Sequence, residues 1–338
     1  MNKLNLTGLK YDKKLVSDIA EKIKGADKIA LFHHISPDGD TMTCSYSFAK
    51  ALKSLFPNKE VKVVCKCEDV QKRFGFFSFE KEYFINEIDS SWLAIVGDVS
   101  VKERIVNYNE FLKAGSHICF DHHDVEKNIN VDLFWKEKDW VASTMQAIII
   151  LDELKIQYDE EHAVLMLIGL LTDSGFFSYS AAEIAPLQIF KYLIQFISKA
   201  RMIKLYNSMF ISNKLDIKLN AFVWSNVKYF EDVAYIQIKK EDFEKMGVKD
   251  SNAAKKFTNK IGNIEGTTKW LMFFEEIKEL PENQTLIYVS LRSLDVDLVP
   301  TANKFNGGGH AHASGAKVTS WEEADKLIKA VAAIKGGK

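Results

Sequence analysis

Four short segments of this 338-residue chain end on side chains of the types that can bind metal ions. The apolar run "HICF" passes directly into Asp121, His122 and His123. "KIALFHHI" leads into "SPDGD", which gives His34, Asp38 and Asp40; "AIVG" ends on Asp98, and the helical run "VLMLIGLLT" ends on Asp173. An isolated Asp-His-His triplet reads as a polar turn, because short polar side chains favour loops. In company the reading changes. Ligands of open α/β sheets bind beyond the C-terminal strand ends, where the topology reverses, and four segments bring Asp or His to such ends. Carboxylates with imidazoles suit hard-to-borderline divalent ions, Mn²⁺ first and Mg²⁺ or Co²⁺ after it, whereas structural zinc wants paired cysteines. Asp38, Asp40, Asp98 and Asp173 with neutral His34 and His122 carry four negative charges, which two divalent ions balance. A single ion would leave buried carboxylates uncompensated. Two ions about 3.5–4 Å apart can activate a shared water against a phosphoester and offset the charge of the transition state. Pro37 and Gly39 stiffen the turn that holds Asp38.

The elements that must position these residues follow from periodicity. Leu15, Ile19 and Ile23 mark an amphipathic helix over residues 11–24. "KIALFHHI", "VKVVC", "WLAIVGDVS" and "HICFDHH" read as strands, with "TMTCSYSFAKALKSLF" and "VKERIVNYNEFLKAG" as helices among them. Strand, helix and strand in succession imply right-handed crossovers. The expected fold is α/β, with an N-terminal doubly wound, mostly parallel sheet. Residues 142–215 read as helical. Beyond them "LNAFVWSNVKYF", "VAYIQIKK", "TTKWLMFFEE" and "QTLIYVSLRS" read as strands and "SNAAKKFTNKIGNI" as a helix, a smaller α/β C-terminal domain. The expected divisions are a metal-binding domain over 1–195, a helical linker over 196–215 and a substrate-binding domain over 216–338.

Composition narrows the class. Apolar residues make up 47% and charged residues 27%, a globular mix. "MNKLNLTGLKYDKKLV" lacks the apolar core of a secretory signal, and no run approaches the roughly 18 apolar residues of a membrane span. A cytoplasmic protein with no membrane partner is expected. Cys44, Cys65, Cys67 and Cys119 lack zinc-ribbon spacing, and Cys65 and Cys67 read as small buried hydrophobes. The net charge of −1 argues against a general nucleic-acid binder, but residues 1–200 carry 24 Lys and Arg against 29 Asp and Glu, and residues 201–338 carry 21 against 17. An acidic metal-binding part beside a mildly basic part fits a phosphate substrate.

"HHISPDGD", "VGD", "FDHH" and "LLTDSGFFSYS" resemble, in order and spacing, the motifs of the DHH phosphoesterases. "FNGGGHAHASGA" resembles the glycine-rich motif of their DHH-associated C-terminal domain, so the likeness spans nearly the whole chain. It is nearest to the stand-alone two-domain branch, nanoRNA exonucleases that also remove phosphate from 3′-phosphoadenosine 5′-phosphate. The resemblance implies His34 and Asp38 on one ion, Asp40, His122 and Asp173 on the other, and Asp98 bridging them. His123 would face the scissile phosphate, Asp121 would orient a ligand histidine, and His33 would point into the fold. One departure stands out: the family's small Gly-Ser pair is replaced by Thr43 and Cys44, which bears on substrate space.

In the C-terminal motif, Gly307, Gly308 and Gly309 read as a loop that offers backbone N–H groups to an anion, with His310 as a further donor. Arg292, at a strand end, has the fork that suits a phosphate, with a surface salt bridge as the alternative; Asn303 and Lys304 are weaker candidates. Phe176 and Phe177 would line a nucleotide pocket, while the aromatics of "RFGFFSFEKEYF" read as core. The implied substrate is RNA of two to five nucleotides in the interdomain cleft, and a homodimer is compatible with the sequence. Hydrolysis of a linear dinucleotide from cyclic-dinucleotide turnover would use the same residues. Exopolyphosphate or pyrophosphate hydrolysis would favour a Lys- and Arg-rich C-terminal domain without GGGH. A non-catalytic nucleotide-binding regulator would lack a metal ligand, and none is missing.

Overall fold

"KIALF" is apolar from its second residue on, as a strand covered on both faces requires. In the computed structural model, which describes residues 4, 8–71, 74, 79–178, 184–281 and 284–335, it forms β1 (Lys28–Phe32). The other strands of its sheet are β2 (Glu60–Val64), β3 (Phe84–Ile85), β4 (Leu93–Gly97), β5 (Ser116–Asp121) and β6 (Leu133–Lys136). They lie in the order β3-β2-β1-β4-β5-β6, and every pairing is parallel. This order reverses between β1 and β4, so a crevice opens beyond their C-terminal ends. Ile29 and Leu31 face a core with helices Lys13–Gly25, Phe48–Leu55, Ser143–Glu153 and Glu160–Asp173, while Ala30 and Phe32 face a second core with Trp92, Ile105 and Phe111.

Two local readings need correction. The helix expected over "VKERIVNYNEFLKAG" shrinks to turns at Lys102–Arg104 and Tyr108–Phe111, because Asn107 adopts a left-handed conformation (φ 54°) between them. "LNAFVWS" is helix Lys214–Ser225, not strand. Asn213 and Asp216 form a reciprocal capping box that starts it, and Leu219 and Val223, four apart, supply its buried face. The short strands β3 and β6 carried no periodic signal of their own.

The chain divides into two compact units, Met1–Phe210 and Ile211–Lys338. The second holds a mixed sheet of β7 (Lys228–Phe230), β8 (Val233–Ile238), β9 (Lys269–Glu275), β10 (Ile287–Ser293), β11 (Gly308–His310) and β12 (Ala313–Val318), in the order β11-β12-β10-β9-β8-β7. Leu271, Val289 and Ala316 pack on one face with helix Trp321–Ala332, and Trp270, Met272 and Phe274 pack on the other with the 3₁₀ helix Ser251–Asn263. Among the described residues no helix is long and apolar enough to cross a membrane.

Residues 39–55 run as one helix with a π turn, Thr43–Ser47, between Gly39–Met42 and Phe48–Leu55. Thr43 and Cys44 lie in this turn and are fully buried, with the Thr43 hydroxyl donating to the Leu165 carbonyl at 3.1 Å. They therefore occupy the core, and Gly169 on the facing helix makes room. A Cβ on Gly169 would stand 2.0 Å from Thr144 Oγ1 and 2.8 Å from Thr43 Cβ. Gly169→Ala is expected to cost about 1–3 kcal/mol by overpacking, read by thermal or urea unfolding. Gly25→Ala, with open space around its Cβ, should stay within about 0.5 kcal/mol of the parent. Equal effects would contradict this packing.

Candidate metal centre

Asp98 immediately follows β4 in a left-handed backbone conformation (φ 67°), a strained choice for a residue with a side chain. Its N–H donates to the Phe120 carbonyl at 2.9 Å, which ties the turn to β5 and leaves the carboxylate pointing out of the sheet end. Asp98 is 1% exposed, and its carboxylate divides its two oxygens. Oδ2 lies 3.4 Å from His34 Nε2, and Oδ1 lies 3.4 Å from His122 Nε2. Both imidazoles are held from behind: the backbone carbonyl of Ile35 takes the Nδ1 proton of His34 at 2.8 Å, and that of Trp140 takes the Nδ1 proton of His122 at 2.9 Å. In the neutral ring that tautomer leaves each Nε2 with a lone pair directed into the site, as metal-ligating histidines have.

Two donor sets result. His34, Asp38 and Asp98 offer ligand atoms within 4.8 Å of one another, and so do Asp40, His122 and Asp173. A third grouping, Asp98, His122 and His123, overlaps them. Asp38 caps helix Gly39–Met42 by accepting from the Thr41 N–H at 3.1 Å with one oxygen, and its other oxygen lies 3.5 Å from His34 Nε2. Asp173 ends helix Glu160–Asp173, its Oδ2 3.2 Å from His122 Nε2. Asp40 is fully buried and accepts from the N–H groups of Ser143 and Thr144, both at 2.8 Å, and from the Thr144 hydroxyl at 2.5 Å. It thus serves as the missing cap of helix Ser143–Glu153, whose own preceding residue, Ala142, offers no side-chain cap.

The electrostatics are those of a cation site. Burial raises the carboxyls of Asp40 and Asp173, and the neighbouring charge of Asp98 adds to it. Burial also opposes ionisation of Asp98, but hydrogen bonds from His122 and His34 outweigh it and hold that carboxyl well below its usual range. Divalent ions would relieve the remaining repulsion, so hard oxygen and imidazole donors fit them. Burial keeps the Cys44 thiol well above its usual range, reinforced by Asp40 and Asp98.

The resemblance put Asp121 behind a ligand histidine, and the histidine it meets is His123: its Oδ1 accepts from the backbone N–H of His123 at 3.1 Å and bonds that ring's Nδ1 at 2.8 Å, while Ser100 donates to its Oδ2 at 2.5 Å. Asp121 orients His123, and the Trp140 carbonyl orients His122. Ser100, Trp140, Ser143 and Thr144 escaped the sequence reading. The pair "ST" opening an apolar helical run was a visible cap signal, but a partner 103 residues away was not. His33 points into the fold, 2% exposed. Phe176 packs on Tyr206 and Phe210, and Phe177 on Phe190, so both rings are engaged within the first unit. Phe79, Tyr83 and Phe84 surround Tyr46 as core, and Phe76 and Phe77 lie outside the described residues.

The second unit holds the other candidates. Gly308–His310 is an edge strand paired to β12, not a loop. A Cβ on Gly307 would meet the Gly315 carbonyl at 2.0 Å, which is why the close approach needs glycine. Gly309 has φ 139°. The His310 side chain lies outside the described positions. Arg292 donates to the Leu291 and Ser314 carbonyls at 2.9 and 3.3 Å and lines a pocket of about 480 Å³ with Gly307, Gly308 and Gly309.

Burial opposes protonation of His34, but Asp38 and Asp98 outweigh it and raise its pKa to about 10 in the metal-free protein. This charge stabilises the metal-free fold fully below the ordinary value of 6.5, and the stabilisation is lost as pH rises through about 10. Coordination needs the neutral ring, so adding Mn²⁺ to the stripped protein in weak buffer near pH 7 is expected to release protons. Its apparent affinity should rise with pH. His34→Ala should release fewer protons, and uptake without release would contradict the assignment of Nε2 as a ligand.

Comparison with known proteins agrees with this geometry. Residues 28–170 match the DHH family, N-terminal domain, and residues 235–336 match the DHHA1 domain. Two relatives share the name bifunctional oligoribonuclease and PAP phosphatase. The one from Mycoplasma pneumoniae is 28% identical over 93% of this chain and 94% of its own. The one from Bacillus subtilis is 29% identical over 92% of this chain and 96% of its own. The solved structure of an exopolyphosphatase-related protein from Bacteroides fragilis shares the fold, with a TM-score of 0.79 at 22% identity over 96% of this chain and 97% of that one. With both domain matches in order, relatives along the whole length and a carboxylate–imidazole cluster at the switch of a parallel sheet, this chain belongs to the metal-dependent DHH phosphoesterases, which are hydrolases.

Proposed function

We propose that this protein hydrolyses RNA of two to five nucleotides to mononucleotides, and 3′-phosphoadenosine 5′-phosphate to AMP, using two Mn²⁺ ions in the cytoplasm. The observation that carries the reading is the division of the Asp98 oxygens between His34 and His122, each with a further carboxylate at its Nε2. His34 and Asp38 would hold one ion, Asp40, His122 and Asp173 the other, and Asp98 both. When bound, such ions activate water as a nucleophile and offset charge on the phosphoryl oxygens. His123, pinned by Asp121, donates a hydrogen bond to the scissile phosphate. In the second unit, Arg292, Gly307 and the edge strand Gly308–His310 would hold the phosphate of a nucleotide. The substrate class comes from the relatives, whose names state oligoribonuclease and PAP phosphatase activity.

A panel tests this: Mn²⁺ with 5′-labelled RNA of two to 24 nucleotides, 3′-phosphoadenosine 5′-phosphate, a linear dinucleotide and pyrophosphate. The short RNAs and the nucleotide bisphosphate should be cleaved, the 24-mer slowly and pyrophosphate not at all. Asp98→Ala should lose more than the roughly 10- to 100-fold typical of a residue behind the ligands. Equal rates on 2-mers and 24-mers would remove the length preference, and cleavage that survives Asp98→Ala would remove the two-ion site.

A further inference from the structure

The C-terminal sheet is covered unevenly. The 3₁₀ helix Ser251–Asn263 lies over Trp270, Met272 and Phe274 of β9, but the same face of β10 and β12 forms a pocket of about 480 Å³. Side chains alternate along a strand, so Tyr288, Ser290 and Arg292 share this face, while Val289 and Leu291 enter the opposite core. In register across the sheet, Tyr288 stands between Phe274 and Lys317, and Ser290 between Met272 and Gly315. The floor of the pocket is thus small at its middle, with a phenol at one end and a guanidinium at the other.

Two cations converge on the phenol. The ammonium of Lys255, at the edge of the covering helix, lies 6.0 Å from the Tyr288 ring centre and 5.7 Å from that of Phe274, and the ammonium of Lys317 lies 5.8 Å from Tyr288. Both lysines are exposed, and Tyr288 is stacked on buried Phe274 at 5.7 Å, which fixes the ring. A carboxylate, Glu276, neighbours Tyr288, and one of its oxygens is already taken by the N–H groups of Ile277 and Lys278. Tyr288 and Arg292 are four residues apart on one strand, about 13 Å at the usual rise. That separation leaves room at Tyr288 for a nucleotide beyond one held at Arg292.

We propose that Lys255, Lys317 and Tyr288 form a second nucleotide subsite, beyond the one at Arg292 and the glycine strand. Its occupant is the next nucleotide of a short RNA: the lysines pair with its phosphate, and the half-buried Tyr288 borders its base. Positive charge, a fixed aromatic ring and a small-residue floor are what a nucleotide requires, and a mononucleotide held at Arg292 alone would not reach the lysines. This rests on the function proposed above, and makes the protein's response to substrate length a property of a named surface.

The test compares full-length wild type with Lys255→Ala/Lys317→Ala and with Tyr288→Ala. Each is assayed with Mn²⁺ on a trinucleotide and on 3′-phosphoadenosine 5′-phosphate. On the trinucleotide the variants should lose about tenfold in kcat/KM, mainly through KM, while the nucleotide bisphosphate changes less than twofold. Binding is read separately, by fluorescence anisotropy of a labelled RNA 3-mer on Asp98→Asn protein with and without the lysine substitutions. Loss of both lysines should flatten the dependence of log Kd on log salt by up to about 0.7 per phosphate contact. An unchanged trinucleotide KM and salt slope, or equal losses on both substrates, would overturn the subsite. If wild type cleaves neither substrate, the function proposed above fails, while anisotropy still decides the subsite.

Discussion

A carboxylate sealed at the end of a central strand, with an imidazole at each oxygen, is costly unless positive charge answers it. Asp98 is in that position, 1% exposed, in a left-handed conformation, with His34 on one oxygen and His122 on the other. The rest of the N-terminal unit serves this arrangement. β1 and β4 are paired neighbours at the point where the strand order reverses, so the segments carrying His34 and Asp98 arrive side by side. β5 lies next to β4 and supplies His122 just after its last residue. Asp40 and Asp173 come from helices packed against this edge, and Asp40 is locked there by the helix N-terminus at Ser143 and Thr144.

Packing and site chemistry meet at Thr144. Its hydroxyl holds Asp40, and its position depends on the absence of a side chain at Gly169. Thr43 uses the same space, so Thr43 and Cys44 in place of a smaller pair are absorbed by the core and by a π turn, a feature often found at functional sites. The departure therefore acts on how the helix carrying Asp40 is seated. The C-terminal unit solves a different problem: its sheet leaves one stretch uncovered, where glycine lets an edge strand approach closely and where basic and aromatic side chains gather.

Most of the metal-site candidates were legible in the sequence because strand ends and local motifs mark them. The apolar runs before Asp98 and Asp121 announced buried parallel strands, and "HHISPDGD" announced a stiff turn. What stayed hidden depended on contacts distant along the chain. The resemblance put Asp121 behind a ligand histidine without saying which, and hydrogen bonds at its Oδ1 tie it to His123. The carbonyls of Ile35 and Trp140 that set the tautomers carry no sequence signature at all. "LNAFVWS" misled because its aromatic and branched residues favour strands, whereas the capping box at Asn213 and Asp216 decided the matter locally. The glycine motif was read as a loop because glycine usually marks one; pairing with β12 makes it an edge strand.

Asp98 is proposed to hold two ions at once. Anomalous X-ray scattering at the manganese edge, from crystals of the protein grown with Mn²⁺, tests it most directly. Two peaks are expected, one beside His34 and Asp38 and the other beside Asp40, His122 and Asp173, each in contact with a different Asp98 oxygen. A single peak, or two peaks of which neither touches Asp98, would contradict it.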